Sequence, residues 1–487
     1  MSIQLFIVCL YIAVLFGISF YVKRRADKNP VEYLFAGRKL TATLVAFNVT
    51  GLAVGAASTV GVAENATTVG IAAGWYNGAW AIGAVVMGLV AAGKYRALKC
   101  STIPELFERY YDRRGRIISA LGLAVILICI TSLQYVAGGA ILSTLMPDIF
   151  TMKGGMIVSA VVFIGITVVG GLWSSGLSNV LSVVLIYFGI LYSTFTVLDR
   201  SGGIAGIAAQ MPAAQFDWFG PMGGLGMSVI IGWILVMVSQ AISAQGTVQI
   251  ACGAKDAKTA RRGFIWGGIL IFPIGFLSAI LGLAAKVQFP DLNPTMALPQ
   301  IIMSLDPITS GITLAALWAA DVSTACTILL GAGTLLSQDI YKRFFNPSVS
   351  DKKFLQVNRR VILLVGLGTL WLAFNAVGIL QTMMIGLSLT TAFTVVFLFT
   401  VFAPKLCRKS SAFYTTLVGL LGLAVWQFIP ALHVLPHVIY FEWIICIGSF
   451  LLVPVFDSQP IKTPALERED VETVVDDEEI SKEHVLS

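Results

Sequence analysis

Charge is what this chain has least of. Only 12% of its 487 residues are Asp, Glu, Lys or Arg, against about 25% in an average soluble domain. So few charges cannot clothe a water-facing surface when 57% of the residues are apolar and the mean hydropathy is +0.86. A soluble enzyme and a disordered chain are both excluded. Histidine is nearly missing. His433, His437 and His484 are the three present, and all lie in loops or the tail. The apolar runs also lack an HExxH motif, a Ser–His pair and paired aspartates, so an enzyme is not expected. The seven cysteines contain no CxxC pair, so neither a thiolate metal site nor a secreted disulfide scaffold is expected.

What the chain does have is long apolar runs. Thirteen are read at about 3–22, 44–68, 75–95, 116–145, 154–173, 178–198, 225–244, 264–286, 308–336, 360–376, 379–402, 412–430 and 438–456. Backbone polar groups cannot stay unpaired in hydrocarbon, so such runs must be helices or barrel strands. They are too long and too evenly apolar for strands. The expected fold class is therefore an all-α polytopic membrane protein with about 13 transmembrane helices. The first run has no positive charge before it and no small-residue cleavage site after it, which predicts a permanent helix. The sequons at Asn48 and Asn65 fall inside a span and are read as chance matches.

The formal net charge of +6 hides an asymmetry. Residues 457–487 hold ten acids and three bases, which leaves 29 bases against 16 acids in the rest. A basic body of this kind reflects Lys and Arg gathered on one side of a membrane, and nucleic acid is not expected as a partner. Twenty-nine of the 32 Lys and Arg fall in the loops after spans 1, 3, 7, 9 and 11 and in the tail. Only Lys153, Arg200 and Lys286 fall on the other side. The alternation predicts a multi-pass plasma-membrane protein with its N-terminus outside and its C-terminus cytoplasmic. Residues 1–456 are read as the membrane domain and 457–487 as a solvated, disordered acidic tail. A cytoplasmic partner docking on that tail is a second reading of it.

Three spans carry unusual chemistry. Span 2 places Gly51, Gly55 and Gly61 among Ser58 and Thr59, with Glu64 beyond. Gly51 and Gly55 form a GxxxG pair, which makes a packing seam one reading. The other is a discontinuous helix whose freed carbonyls coordinate a cation or a substrate at mid-membrane. Span 7 is preceded by the Gly-rich 220–226 and ends in Ser239, Gln240, Ser243, Gln245 and Gly246. Paired interruptions at corresponding places of two halves point to a transport site. On span 9, Ala320, Ser323, Thr324 and Thr327 stand at i, i+3, i+4 and i+7 and share a face. Two neutral hydroxyls and a carbonyl suit a weakly held monovalent ion; back-bonding to the helix's own carbonyls is the competing reading. Glu64 and Asp321 are the acids read as deep in spans, and such groups are functional candidates. Asp321 stands about 100° round from Ala320 and is expected to face another helix. Glu64 either meets a substrate ammonium or lines a vestibule.

These residues resemble the sodium/solute symporters, the family of bacterial proline, pantothenate and galactose carriers and of animal sodium/glucose carriers. The matching stretches are Phe35 to Thr41, Thr102 to Glu105, Gly170-Gly171 with Ser178-Asn179, Gln245 to Lys255, and Ala320 to Thr324 running on to Gln338 to Lys342. The resemblance implies a leucine-transporter-like core of two inverted five-helix repeats, 44–198 and 225–402, with 1–22 and 412–456 peripheral. It implies Na+ as the coupling ion, held by the Gly51, Val54 and Ala320 carbonyls and the Ser323 and Thr324 hydroxyls, with no other metal. Two departures stand out. Ser178-Asn179 lacks the acid that many members carry there for a further sodium, and Asn77 stands where the sugar carriers have an acid.

The expected function is sodium-coupled import of a small organic solute by alternating access. A zwitterionic or cationic solute such as an amino acid is favoured by Glu64 and by the uncharged polar groups. Ser58, Glu64, Asn77, Gln134, Ser239, Gln240 and Ser243 are the substrate-binding candidates. A small carboxylate or sugar symporter is the alternative, and a membrane sensor on the same fold is a further one.

Overall fold

The computed structural model describes residues 3–98, 100, 102–219, 225–375, 379–429 and 435–461. Among these residues the architecture is helical, and the β-pairing consists of two isolated bridges, Leu40 with Ala254 and Arg408 with Pro460. The first group of helices is α1 (Ile3–Ala26), α2 (Pro30–Phe35), α3 (Ala42–Ala53), α4 (Val62–Val69), α5 (Trp75–Met87) and α6 (Gly93–Leu98). Next come α7 (Ile103–Tyr110), α8 (Arg113–Leu145), α9 (Met152–Arg200) and α10 (Gly203–Ala208). The second half holds α11 (Met227–Ser243), α12 (Gln245–Gly253), α13 (Ala257–Gln288), α14 (Ala297–Met303), α15 (Pro307–Thr334) and α16 (Asp351–Ala373). The last four are α17 (Ile379–Ser388), α18 (Thr390–Phe402), α19 (Ser411–Phe428) and α20 (Val438–Phe456).

Short polar residues start the apolar helices. Thr41, Asp112, Thr151, Asp256 and Asp306 each accept a backbone N–H of the first turn of α3, α8, α9, α13 and α15. Each cap pairs a donor that hydrocarbon would leave orphaned. Within the described residues, seven helices are long and apolar enough to cross a membrane, or eight if the bent pair α11–α12 is one span. The chain is therefore a multi-pass membrane protein. Among the described residues each of the thirteen apolar runs overlaps helix, several as broken or shared elements. The runs 154–173 and 178–198 share the 49-residue α9. A straight helix of that length would be about 74 Å long, more than twice the hydrocarbon thickness. Gly171 resolves this with φ 55° and ψ −145°, a break in the helix made against the Tyr33 carbonyl, where a Cβ would collide.

α15 is the centre of the molecule. Its apolar window is 94% buried, against 33% for α20, and it packs on α9, α8, α1, α16 and α3. A second layer forms where α13 packs on α5, α3 and α4. α19 and α20 lie together against α18 and α8.

Two expectations need correction. The acids enclosed by the helices are more than the half-buried Glu64 and the buried Asp321. Asp339 and Glu442 are fully buried as well, Glu442 because the Gly419 and Gly422 face of α19 closes over it. The acidic tail also starts later than expected. The Asp457 carboxylate accepts the Ser410 N–H at 2.9 Å, and the Lys409 N–H donates to the Gln459 carbonyl at 3.0 Å. This pins 457–461 to the loop after α18; residues 462–487 lie outside the described residues.

Candidate functional site

The span-2 sequence had two readings, and the structure has a break. α3 ends at Ala53, Val54 leaves the helix at φ −93° and ψ 83°, and a π-helical turn at Ala57–Gly61 leads into α4. In a continuous helix the Gly55 N–H would donate to the Gly51 carbonyl. Here it donates to Ser58 Oγ at 2.9 Å. Ser58 Oγ in turn donates to the Ala53 carbonyl at 2.6 Å, and Thr59 Oγ1 to the Gly55 carbonyl at 2.9 Å. Gln134 of α8 supplies the remaining piece, its Oε1 accepting the Ala56 N–H at 2.8 Å. Side chains thus satisfy what the ladder no longer does.

The Gly51 carbonyl, deprived of its helical donor, is met by α15. Ser323 Oγ lies 3.0 Å from it and Thr324 Oγ1 2.8 Å. Ser323 Oγ is also 2.8 Å from the Ala320 carbonyl. A hydroxyl has one proton, so Ser323 serves one of these two carbonyls at a time. Both sequence readings therefore hold in part: Ser323 bonds back along its own helix, while Thr324 is directed across to the break. Thr327 continues the face, sharing a 2.7 Å bond with Ser175 of α9. The approach of α15 to the break depends on Gly55. A Cβ there would lie 2.5 Å from Thr324 Oγ1 and 2.6 Å from Gln134 Oε1.

Four of the five expected ion ligands are linked in one chain of contacts, the Ala320 carbonyl to the Ser323 hydroxyl, that hydroxyl to the Gly51 carbonyl, and the Gly51 carbonyl to the Thr324 hydroxyl. The fifth, Val54, sits at the break with non-helical dihedrals. All five are buried. Hard, neutral oxygen donors on two helices fit a monovalent cation better than a soft metal. Asn179 packs on the same turn: a Cβ at Gly51 would meet its side-chain amide, which donates to Asn48 Oδ1 at 3.2 Å.

The second interruption is also present. α11 ends at Ser243, Ala244 is extended at φ −74° and ψ 138°, and α12 leaves at an angle of 50°. The start of α12 faces the first break. A Cβ on Gly246 would lie 3.3 Å from Leu52 and 3.7 Å from Thr327. The two interruptions and the hydroxyl face of α15 thus form one buried centre.

The substrate candidates divide. Ser58 and Gln134 are committed to the backbone of the break. Ser243 Oγ is 2.8 Å from the Ser239 carbonyl and 2.9 Å from the Thr390 carbonyl, and Thr394 Oγ1 donates to the Ser239 carbonyl at 2.7 Å, so these hydroxyls join α11 to α18. Gln240 is buried beside them, and its Oε1 has no hydrogen-bond partner. Asn77 turns away to α13, with Nδ2 3.4 Å from the Ile271 carbonyl. Its neighbour Tyr76 is the α5 side chain that faces α11 and α17, against Trp233 and Met383. Glu64 is half-buried on α4. Asp321 is fully buried on α15.

Sequence reasoning missed an ion-pair network at the Lys- and Arg-rich ends of the helices. Asp339, in the π-helical continuation of α15 (Leu335–Phe345), accepts from Arg116 Nη2 at 2.6 Å, Arg116 Nε at 3.0 Å and Thr102 Oγ1 at 2.9 Å. Arg116 also donates to Glu108 at 2.5 Å, and Arg343 donates to Glu108 at 2.6 Å. Burial pushes the Glu108 carboxyl up, but hydrogen bonds from Arg343 and Arg116 outweigh it and hold the group below the usual range. Thr102 and Asp339 were each inside a stretch singled out above; that they meet was not readable from it.

The sequence model described as the sodium:solute symporter family matches residues 33–419. The sodium/glucose cotransporter of Vibrio parahaemolyticus is 24% identical over 394 residues, covering 73% of this chain and 72% of that one. The sodium/pantothenate symporter of Escherichia coli (strain K12) is 26% identical over 379 residues, covering 74% and 77%. Among solved structures, a substrate-bound outward-open Na+-coupled sialic acid symporter superposes with a TM-score of 0.80 at 20% identity, covering 95% of this chain and 99% of that one. Mhp1, a nucleobase-cation-symport-1 family transporter, follows at 0.61 and 15%, covering 90% and 98%.

Proposed function

Because the chain belongs to the sodium:solute symporter family, we propose that it imports a small organic solute with sodium by alternating access. The sodium ion sits between the Gly51, Val54 and Ala320 carbonyls and the Ser323 and Thr324 hydroxyls. The observation that carries this reading is the convergence of both hydroxyls on the Gly51 carbonyl, where span 2 breaks. When sodium enters, the two hydroxyls turn their lone pairs to it and their protons elsewhere, and the ion ties α3 to α15. When it leaves, the tie reduces to hydrogen bonds, and the two helices are free to separate. Sodium and solute then strengthen each other's binding by the same factor.

The thirteen-span, N-out and C-in topology and the two inverted repeats, spans 2–6 and 7–11, belong to this proposal. So does the solute class. An amino acid or related zwitterion fits a site with Glu64 at its approach and Gln240 in its wall. Relatives named for proline support it, and relatives named for glucose keep a sugar as the second reading.

Thermal unfolding of the purified protein in sodium and in potassium, with amino acids, carboxylates and sugars added in turn, tests the proposal. A ligand bound by the native state alone stabilises it by RT ln(1 + [L]/Kd). The expected result is a sodium-dependent shift that one solute class enlarges. In Ser323→Ala the sodium needed for half the shift should rise about tenfold, the equivalent of about 1.4 kcal/mol. An unchanged sodium requirement in that variant removes the site assignment.

A further inference from the structure

Asp321 is fully buried at the centre of α15, and neither of its carboxylate oxygens has a hydrogen-bond partner. Its direction follows from its neighbours. Trp318 and Thr324 lie three residues before and after it and flank it on one face of the helix. Trp318 donates to Ser159 Oγ at 3.0 Å, and its indole nitrogen lies 3.4 Å from a Cβ built at Gly138 of α8. Thr324 and Gln134 of α8 both lie within 2.6 Å of a Cβ built at Gly55. Gln134 and Gly138 are one turn apart on α8, so Asp321 faces α8 between them, beside the break and on the other side of Thr324 from the Gly51 carbonyl.

Among the described residues, no protein group satisfies this carboxyl in either protonation state. An anion needs a counter-cation when buried, and the described ion pairs do not include Asp321. A neutral acid needs an acceptor for its O–H, and both oxygens are without any partner. The groups that face it from α8 and α9, Gln134, Gly138 and Ser159, carry no charge. Neutral oxygens are nevertheless at hand. Gln134 Oε1 spends one lone pair on Ala56 N–H and keeps another, and Thr324 Oγ1 donates its proton to Gly51 and keeps its lone pairs.

We propose that Asp321 is the anionic centre of a second monovalent-cation site, between α15 and α8, with Gln134 and Thr324 as neighbouring oxygen donors. The inference rests on the reading of the chain as a sodium-coupled carrier and adds a charged site to the neutral one. Two ions on either side of Thr324 would join three elements, α3, α8 and α15, where one ion joins two.

The test is the number of sodium ions bound by the purified full-length protein, measured with radioactive sodium at saturation. The wild type is expected to bind two, Asp321→Asn one, and Ser323→Ala two, with a raised sodium requirement for one of them. Asp321→Glu, which keeps the carboxylate, should again bind two and shows that loss in Asp321→Asn is not misfolding. Equal counts in the wild type and Asp321→Asn overturn the second site and leave a carboxyl served by water. A wild type that binds a single ion, lost in Asp321→Asn, overturns it as well, because Asp321 then belongs to one shared site. A wild type that binds no sodium overturns the carrier reading itself.

Discussion

Two aspartates on one continuous stretch of helix meet opposite fates. Asp321 and Asp339 are both fully buried, and they lie on α15 and its π-helical continuation. Asp339 has its charge matched by Arg116, and its Oδ1 accepts from Arg116 and Thr102, while its Oδ2 has no hydrogen-bond partner. Asp321 has no partner for either oxygen. A buried carboxylate whose charge is matched by a fixed guanidinium needs no ion from outside the chain to neutralise it. A buried carboxyl without such a match waits for a partner from outside the chain. The same helix therefore carries a permanent clamp at its Lys- and Arg-rich end and a site for a mobile charge at its middle.

Removing the guanidinium tests the clamp most severely. Arg116→Ala leaves Asp339 with the Thr102 hydroxyl but no counter-charge, and breaking a buried pair from one side costs about 3–5 kcal/mol. Thermal or denaturant unfolding should show a loss of that size, and a smaller one in Arg116→Lys, which keeps the charge and loses the fork. Wild-type stability in Arg116→Ala would show that the network carries no load.

Gly55→Ala acts on the other region. Its Cβ would meet Thr324 Oγ1 at 2.5 Å and Gln134 Oε1 at 2.6 Å, so α15 or α8 must retreat from the break. Overpacking of this kind costs about 1–3 kcal/mol. The diagnostic readout is the sodium-induced thermal shift, which should shrink well beyond the loss of stability. A full sodium response in Gly55→Ala would mean that the close approach does not shape the ion site.

The smallest effect is expected at the rim of the clamp. Glu108 has its carboxyl held below the usual range by Arg343 and Arg116. Its contribution to stability is therefore present above the ordinary carboxylate pKa, near 4.3, and is lost as pH falls through its own lower value. Glu108→Gln should flatten the acid limb of stability below about pH 4.5 while leaving pH 7 stability lower by less than about 1 kcal/mol, because Arg343 is half-exposed and the buried Arg116 keeps Asp339 as its counter-charge. An identical acid limb in wild type and variant would remove Glu108 from the account.

Much of the site was readable from the residues, and the unread part has a common cause. The i, i+3, i+4 spacing of Ala320, Ser323 and Thr324 implied one face, and that face meets the Gly51 carbonyl. Ser239 and Ser243 looked equally available, yet the Ser239 hydroxyl bonds back to the Leu235 carbonyl and the Ser243 hydroxyl is shared between the Ser239 carbonyl and Thr390 of α18. Gln134 stood among the substrate candidates and instead completes the break. A polar side chain in a span has several partners open to it, and sequence spacing ranks them only within its own helix.

By itself the sequence determined a multi-pass helical membrane protein, because hydrocarbon leaves apolar runs no other way to satisfy their backbone. It also determined which residues had chemistry to offer at mid-membrane. Only the tertiary structure decided whether the span-2 glycines were a seam or a break. The Gly51 carbonyl can leave the helical ladder only if hydroxyls from α15, about 270 residues later, replace its lost donor. The pairing of Asp339 with Arg116 and the solitude of Asp321 were decided in the same way, since the cost of a buried charge is set by what the fold brings to it and not by its neighbours in the chain.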